Sequence, residues 1–209
     1  MARWLTAFLV VIGSLLVAGC GGGGGRPGQA TIRFINLVPD STALEFLLDD
    51  DVIDTPKPYL ASTPTFARFE AGEKDVRIRE SGTTVDIWAE LGTFTADRDY
   101  LIMALGLENF NGEFDKRARI GGIDVNRAVP NGNRARIYVV HAYNRMVGFQ
   151  TPNIDFQTPG ENPQYKVADV PFGGNKNIEV DSGSYTFEVR RAGTTNVLFT
   201  TTATLGAGK

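Results

Sequence analysis

Two side chains with distinctive chemistry occur once each in this chain, the thiol of Cys20 and the imidazole of His141. A single thiol cannot close an intrachain disulfide, so any fold here is held by packing and backbone hydrogen bonds. One histidine leaves metal centres built on several His ligands, and Ser-His-Asp machinery, at most one place to exist. His141 shares a strand face with Ile137 and Val139, which points to a structural residue at a strand end rather than a general base. Asp49-Asp50-Asp51 offers carboxylate oxygens, which calcium takes about six to eight at a time. The acids are adjacent, without the spacing of an EF-hand loop, and read as a solvated hairpin turn. Tyr138, Tyr143, Phe149, Phe156 and Tyr165 could stack on a sugar or peptide, but aromatics in a β protein more commonly pack in cores and across strands. Lys166, Lys176 and Arg190-Arg191 form no basic stripe. The expectation is a protein that is not an enzyme, with no catalytic residue, metal site or cofactor, and with no motif that assigns ligand-binding residues.

Cys20 is different because of what precedes it. Residues 1–19 contain one positive charge at Arg3, an apolar run from Leu5 to Val17, and the small residues Ala18 and Gly19, the order of a secretory signal peptide. As a helix that run reaches about 20 Å, short of a bilayer core of roughly 30 Å. It is expected to be removed rather than to span a membrane. Leu16-Val17-Ala18-Gly19-Cys20 resembles the lipobox of bacterial lipoproteins. The resemblance implies cleavage between Gly19 and Cys20, a diacylglyceryl thioether on the Cys20 sulfur, and commonly a further acyl chain on its amine. Each buried methylene contributes about 0.8 kcal/mol, so two or three chains anchor a protein stably to membrane lipid. Residues 20–29, with Gly21 to Gly25 and then Arg26-Pro27-Gly28, form a flexible tether. The glycines do not form a phosphate loop, since no strand precedes them and no Gly-Lys-Ser/Thr follows. By enterobacteria-like sorting, the resemblance further implies that Gly21, rather than Asp, directly after the lipidated position favours the outer membrane over the inner one.

The rest of the chain has ordinary globular composition, 42% hydrophobic and 22% charged. The net charge is −3, and −4 without residues 1–19, which carry Arg3 and no acid. Such a balance excludes the basic clusters that give nucleic acids their nonspecific affinity, so no nucleic-acid partner is expected.

From Ala30 onward, short alternating runs are separated by Gly, Pro, Asn and Asp, which predicts an all-β fold. Val76 and Ile78 alternate with Asp75, Arg77 and Arg79; Tyr185, Phe187 and Val189 alternate with Thr186, Glu188 and Arg190; Leu44, Phe46 and Leu48 lead into the Asp49 turn. Tyr100 to Leu107 is apolar on both faces and predicts a central, doubly covered strand. A spacing of 111 relates Gly72 to Gly183, Arg79 to Arg190, Gly82-Thr83-Thr84 to Gly193-Thr194-Thr195, Thr93 to Thr204 and Ala96 to Ala207. A spacing of 105 relates Ala30–Leu37 to Ala135–Ala142, and the difference falls in the Pro-rich loop between Thr151 and Tyr165. The expectation is two tandem modules, 30–106 and 135–209, joined by a connecting segment, 107–134, with one strand near Ile120 to Val125 and a breaker at Pro130-Asn131-Gly132.

The opening strands at Ile32-Arg33-Phe34-Ile35-Asn36 and Ile137 to Ala142, the Pro39-Asp40 turn, Val170-Pro171-Phe172-Gly173, Gly183 to Arg190 and Gly193-Thr194-Thr195 together resemble the domain of unknown function 4397. That family occurs in tandem in secreted bacterial proteins, and similar order covers nearly all of residues 30–209. Copy 1 lacks the Pro-Phe-Gly segment, and copy 2 has Tyr143-Asn144 in place of Pro-Asp. The resemblance implies immunoglobulin-like or transthyretin-like β-sandwich modules and no established activity.

In copy 1 the segment Thr93 to Arg98 leads into the apolar strand from Tyr100; in copy 2 the matching segment is Thr204 to Lys209. The spacing puts a corresponding last strand at about 210–217, so the second module is expected to be incomplete. A longer reading frame, a strand from another chain and a different closure would each account for this. The functional expectation is a membrane-anchored cell-envelope lipoprotein with a noncatalytic binding, adhesion or structural role and an envelope protein or glycan as partner. The alternative is a carbohydrate- or small-ligand-binding module serving an exported enzyme.

Overall fold

The computed structural model describes residues 28–109, 117–126, 128–142 and 151–208. The described residues are all β, and the chain divides between residues 127 and 128 into two compact units. Short stretches of alternating apolar residues, punctuated by turn formers, cannot bury a helical stripe but can each cover one face of a sheet.

The first unit is a sandwich of two four-stranded sheets. One has the order β4 (Ala67–Glu70), β1 (Gln29–Asn36), β7 (Asp99–Leu105), β8 (Arg119–Val125); the other has β3 (Asp51–Val52), β2 (Leu44–Leu48), β5 (Gly72–Glu80), β6 (Asp86–Phe94). Among the described strand pairs of this unit only β1–β7 is parallel, with Thr31 opposite Asp99 and Asn36 opposite Ala104. Ile32 and Phe34 from the first sheet meet Leu44, Phe46, Val76 and Ile78 from the second, all buried. The Phe34 and Phe46 rings lie 4.5 Å apart between centroids. β7 is central, as its sequence predicts: Ile102 and Ala104 point into this core, and Met103 and Leu105 on its other face are buried too. The strand expected near Ile120 to Val125 is β8, which pairs antiparallel with β7 from Leu105–Arg119 to Asp99–Val125.

The second unit has a four-stranded antiparallel sheet, β11 (Lys166–Val170), β10 (Ile154–Gln157), β13 (Gly183–Arg191), β14 (Val197–Leu205), and the pair β12 (Asn175–Asp181) and β9 (Arg134–Val140). Ile137 and Val139 face Phe156, Phe187 and Val189 across its core. Phe156 stacks on Phe187 at 4.6 Å.

Several hydrogen bonds recur at the repeat spacings. Asp97 N donates to Gln29 O at 2.7 Å in the first unit, and Gly208 N to Arg134 O at 2.8 Å in the second. In the β5–β6 hairpin Thr83 Oγ1 donates to Glu80 O at 2.9 Å, and in the β13–β14 hairpin Thr194 Oγ1 donates to Arg191 O at 2.9 Å. Gly82 and Gly193 both take positive φ, 80° and 70°, at the turns where a side chain would be strained.

Gly106 ends β7 with φ of 101°, and a Cβ there would meet Arg117 O at 2.2 Å. The carbonyl is backbone, fixed by the Leu107–Arg117 bridge, and cannot move aside cheaply. Gly106→Ala is therefore expected to destabilise the first unit by about 3 kcal/mol. Trp88 is the one tryptophan outside residues 1–19, so urea unfolding followed by its fluorescence, in chain from residue 20 onward, reports this unit. An unchanged midpoint would show that the Arg117 segment does not bind here.

Candidate functional site

His141 follows β9 and its side chain is only 1% exposed. Its backbone is fixed on both sides, the N–H donating to Gly174 O at 3.1 Å and the carbonyl accepting from Gly173 N at 2.7 Å. The ring sits edge-on to Phe172, 6.0 Å between centroids, and Nε2 lies 3.0 Å from the Pro152 carbonyl, to which it donates as the N–H tautomer. No side-chain hydroxyl or carboxylate is among these partners. The Pro171-Phe172-Gly173 segment quoted from the sequence thus packs around the histidine and ties the end of β9 to the turn after β11.

Asn36 stands at the equivalent end of β1 and is completely buried. Its Nδ2 donates to Lys57 O at 2.9 Å and to Ser41 Oγ at 3.0 Å, while Oδ1 accepts from Val38 N at 2.9 Å. In both units, then, a buried polar side chain ends the opening strand and satisfies backbone groups of the loops beyond it, which otherwise cost free energy when removed from water. Asn36 carries no motif of its own, so only the 105-residue spacing to His141 could have picked it out.

A second polar tie joins β2 or β10 to the neighbouring hairpin. Glu45 pairs with Arg79 at 2.8 Å and accepts from Gly82 N at 3.4 Å. The Arg79 hydrogen bond, outweighing desolvation, holds its carboxyl below the usual range. Asp155, 3% exposed, accepts from Gly193 N at 3.4 Å and from Asp169 N at 2.8 Å and pairs with Lys166 Nζ at 2.8 Å. Burial pushes the Asp155 carboxyl upward, but the Lys166 ammonium and the two backbone donors outweigh it and leave the pKa lowered. Asp155 was not singled out by the sequence, because one acid in the run Ile154-Asp155-Phe156 looks like an ordinary outward-facing residue.

Asp49 and Asp50 form the turn between β2 and β3, and Asp51 opens β3. Lys74 lies 2.9 Å from Asp49, Arg77 lies 2.7 Å from Asp50, and Arg77 also donates to the Asp49 carbonyl. The Lys74 hydrogen bond lowers the Asp49 pKa, and the Lys74 and Arg77 pKa values rise in return. Asp49 and Asp50 are thus committed to cations of the adjacent strand β5. Among the described residues, no cluster of three or more His, Cys, Asp or Glu side chains is arranged to hold a metal ion.

The described members of the aromatic set do not form one row. Phe156 is core; Tyr165 donates from its hydroxyl to Asp181 at 2.9 Å and meets Tyr185 edge-on at 5.6 Å; Tyr138 is half-buried on β9. Lys166 is held by Asp155, Lys176 by the carbonyls of Ala168 and Asp169, and Arg190 by Glu188. Tyr143, Phe149, Gly19 and Cys20 lie outside the described residues. No helix among the described residues is long and apolar enough to cross a membrane.

Fold and polar ties define an all-β protein of β-sandwich architecture whose charged and buried polar groups serve to pin strand ends and hairpins. A family model for the domain of unknown function DUF4397 matches residues 30–157, from β1 through β10, and the chain belongs to that family. None of the curated proteins compared matches it.

Burial holds the His141 pKa below its ordinary 6.5, opposed by the bond to Pro152. Between that folded value and about 6.5 the unfolded chain binds more protons than the folded one, so this contribution to stability is present above about pH 6.5 and is lost as pH falls. Hydrogen exchange at the Val139 and Phe187 amides is expected to show the second unit loosening between pH 7 and 5, with a weaker dependence in His141→Asn. Equal slopes in the two proteins would show that His141 does not titrate on unfolding.

Proposed function

We propose that this protein is a lipid-anchored lipoprotein of the bacterial cell envelope, with a noncatalytic binding, adhesion or structural role. The observation that carries the reading is the order of residues 1–28: a short apolar leader, two small residues, the single thiol of the chain, then a glycine-rich tether. Chemistry that needs one thiol at that point, and nowhere else, is covalent attachment of acyl chains. Gly21 favours the outer membrane, and the tether spans roughly 15–18 Å, so the β units sit close to the bilayer.

The two units are read as tandem copies of one module. The recurring hairpin bonds at Thr83 and Thr194, the acid-to-glycine bonds Glu45–Gly82 and Asp155–Gly193, and the matching sheet orders β3-β2-β5-β6 and β11-β10-β13-β14 support this. The family match ends at residue 157, so the copy relation for residues 158–209 rests on these internal correspondences.

A noncatalytic role is supported by the surroundings of His141, where its ring nitrogen meets a backbone carbonyl rather than a nucleophile or a carboxylate. A carbohydrate-binding role would be favoured by an exposed row of aromatic rings. Phe156, Tyr165 and Tyr185 instead pack in or against the core.

Cys20→Ser tests the anchor. The variant is expected to leave the membrane fraction and appear in the soluble envelope fraction or the medium, whereas the wild type sediments with membranes until detergent is added. Identical fractionation of the two proteins would contradict the lipid anchor.

A further inference from the structure

Strands at the ends of sheets expose backbone donors and acceptors, and proteins commonly protect them with charge, proline or short length. In both units the described end strands follow this rule, with one exception. β3, β4, β6, β8, β9, β11 and β12 each carry at least one charged residue; β14, Val197-Leu198-Phe199-Thr200-Thr201-Thr202-Ala203-Thr204-Leu205, carries none and has no proline. Among the described residues its one strand neighbour is β13, and Val197 and Leu198 are exposed apolar side chains. A bulge at Leu198 sets Val197 apart, and from Phe199 to Leu205 the strand runs regularly for about 23 Å.

We propose that β14 pairs antiparallel with β14 of a second copy of the chain, joining two four-stranded sheets into one of eight strands. The strand is self-complementary about Thr201. With Thr201 opposite its own copy, Thr200 faces Thr202 and Phe199 faces Ala203 within the regular part of the strand, so no pair there brings like charges together. The outward face becomes a continuous patch of hydroxyls, since Ser184 and Thr186 on β13 already lie opposite Thr204 and Thr202, with Ser184 Oγ and Thr204 Oγ1 2.8 Å apart. Cross-strand threonine pairs of this kind are favourable. Pairing about a residue, rather than between residues, keeps backbone groups matched whichever way Thr201 points, and supplies about four to six hydrogen bonds across the junction.

β6, the strand in the same place in the first unit, shows why the partner is β14. It has the same length, Asp86–Phe94, but self-pairing about its centre would set Glu90 against Glu90. Unlike β14, it carries the charge that discourages such an edge from meeting its own copy.

The test uses chain from residue 20 onward with Cys20→Ser, which removes both lipid and disulfide from the measurement. Sedimentation equilibrium is expected to show a reversible dimer at about 100 μM. Thr200→Lys with Thr202→Lys puts lysine opposite lysine twice and is expected to weaken association more than tenfold. Thr200→Glu with Thr202→Lys puts opposite charges in the same two places and is expected to keep the dimer. Both positions are exposed, and far-UV circular dichroism checks that each variant remains folded. A monomeric parent, or a dimer indifferent to the double lysine substitution, or a Glu/Lys variant as weak as the Lys/Lys variant, would overturn the proposal.

Discussion

The packing of one phenylalanine pair at the centre of each unit is the interaction on which the rest depends. With the single thiol at residue 20, no disulfide can staple either sandwich, so the space between facing β surfaces has to be filled to near-crystalline density by side chains alone. In the first unit the ring against Phe46 comes from β1, as Phe34, and the β5 position is the smaller Val76. In the second unit the ring against Phe156 comes from β13, as Phe187, and the β9 position is the smaller Val139. At the repeat spacings, Phe34 corresponds to Val139 and Val76 to Phe187. The large and small residues have exchanged places while the filled volume stays similar, which is the substitution pattern a close-packed interior tolerates best.

Around those rings, polar groups fix where strands stop. Asn36 and His141 close the opening strands by different chemistry, an amide that both donates and accepts, and an imidazole that bonds to one carbonyl. Glu45 and Asp155 reach from the second strand of each sheet to the glycine N–H at the tip of the neighbouring hairpin. A buried or half-buried acid is retained at such a point because it satisfies donors that would otherwise be stranded, and its own charge is balanced by Arg79 or Lys166. Only the positions recur; the residue types are free to differ wherever another donor or acceptor reaches the same backbone atoms.

The sequence makes strands legible where alternation is strong and turn glycines are spaced regularly. β5, β13, β2 and the doubly apolar β7 follow directly from such patterns, and β8 from its short apolar run. β12 is less visible: in Asn175-Lys176-Asn177-Ile178-Glu179-Val180-Asp181 only two apolar residues alternate, and the strand is defined by its ladder to β9. β4 is hidden similarly, with Ala67 and Phe69 the only apolar positions in four residues. The parallel β1–β7 contact leaves no local signal at all, because it joins residues about seventy positions apart. The buried roles of Asn36 and Asp155 depend on atoms from distant loops, so neither residue type nor spacing within its own strand announces them. The charge partners of the Asp49 turn were likewise invisible until β5 was in place beside it.

Two sandwiches are held by packing, with polar side chains spent on strand ends and hairpins, and in the proposed reading the leader and its following cysteine determine where the molecule works. The most direct measurement is the intact mass of the native protein extracted from membranes with detergent. The proposed anchor gives a polypeptide beginning at Cys20 and heavier by a diacylglyceryl group, with or without an amide-linked acyl chain. A mass equal to the bare polypeptide, or one that retains residues 1–19, would contradict it.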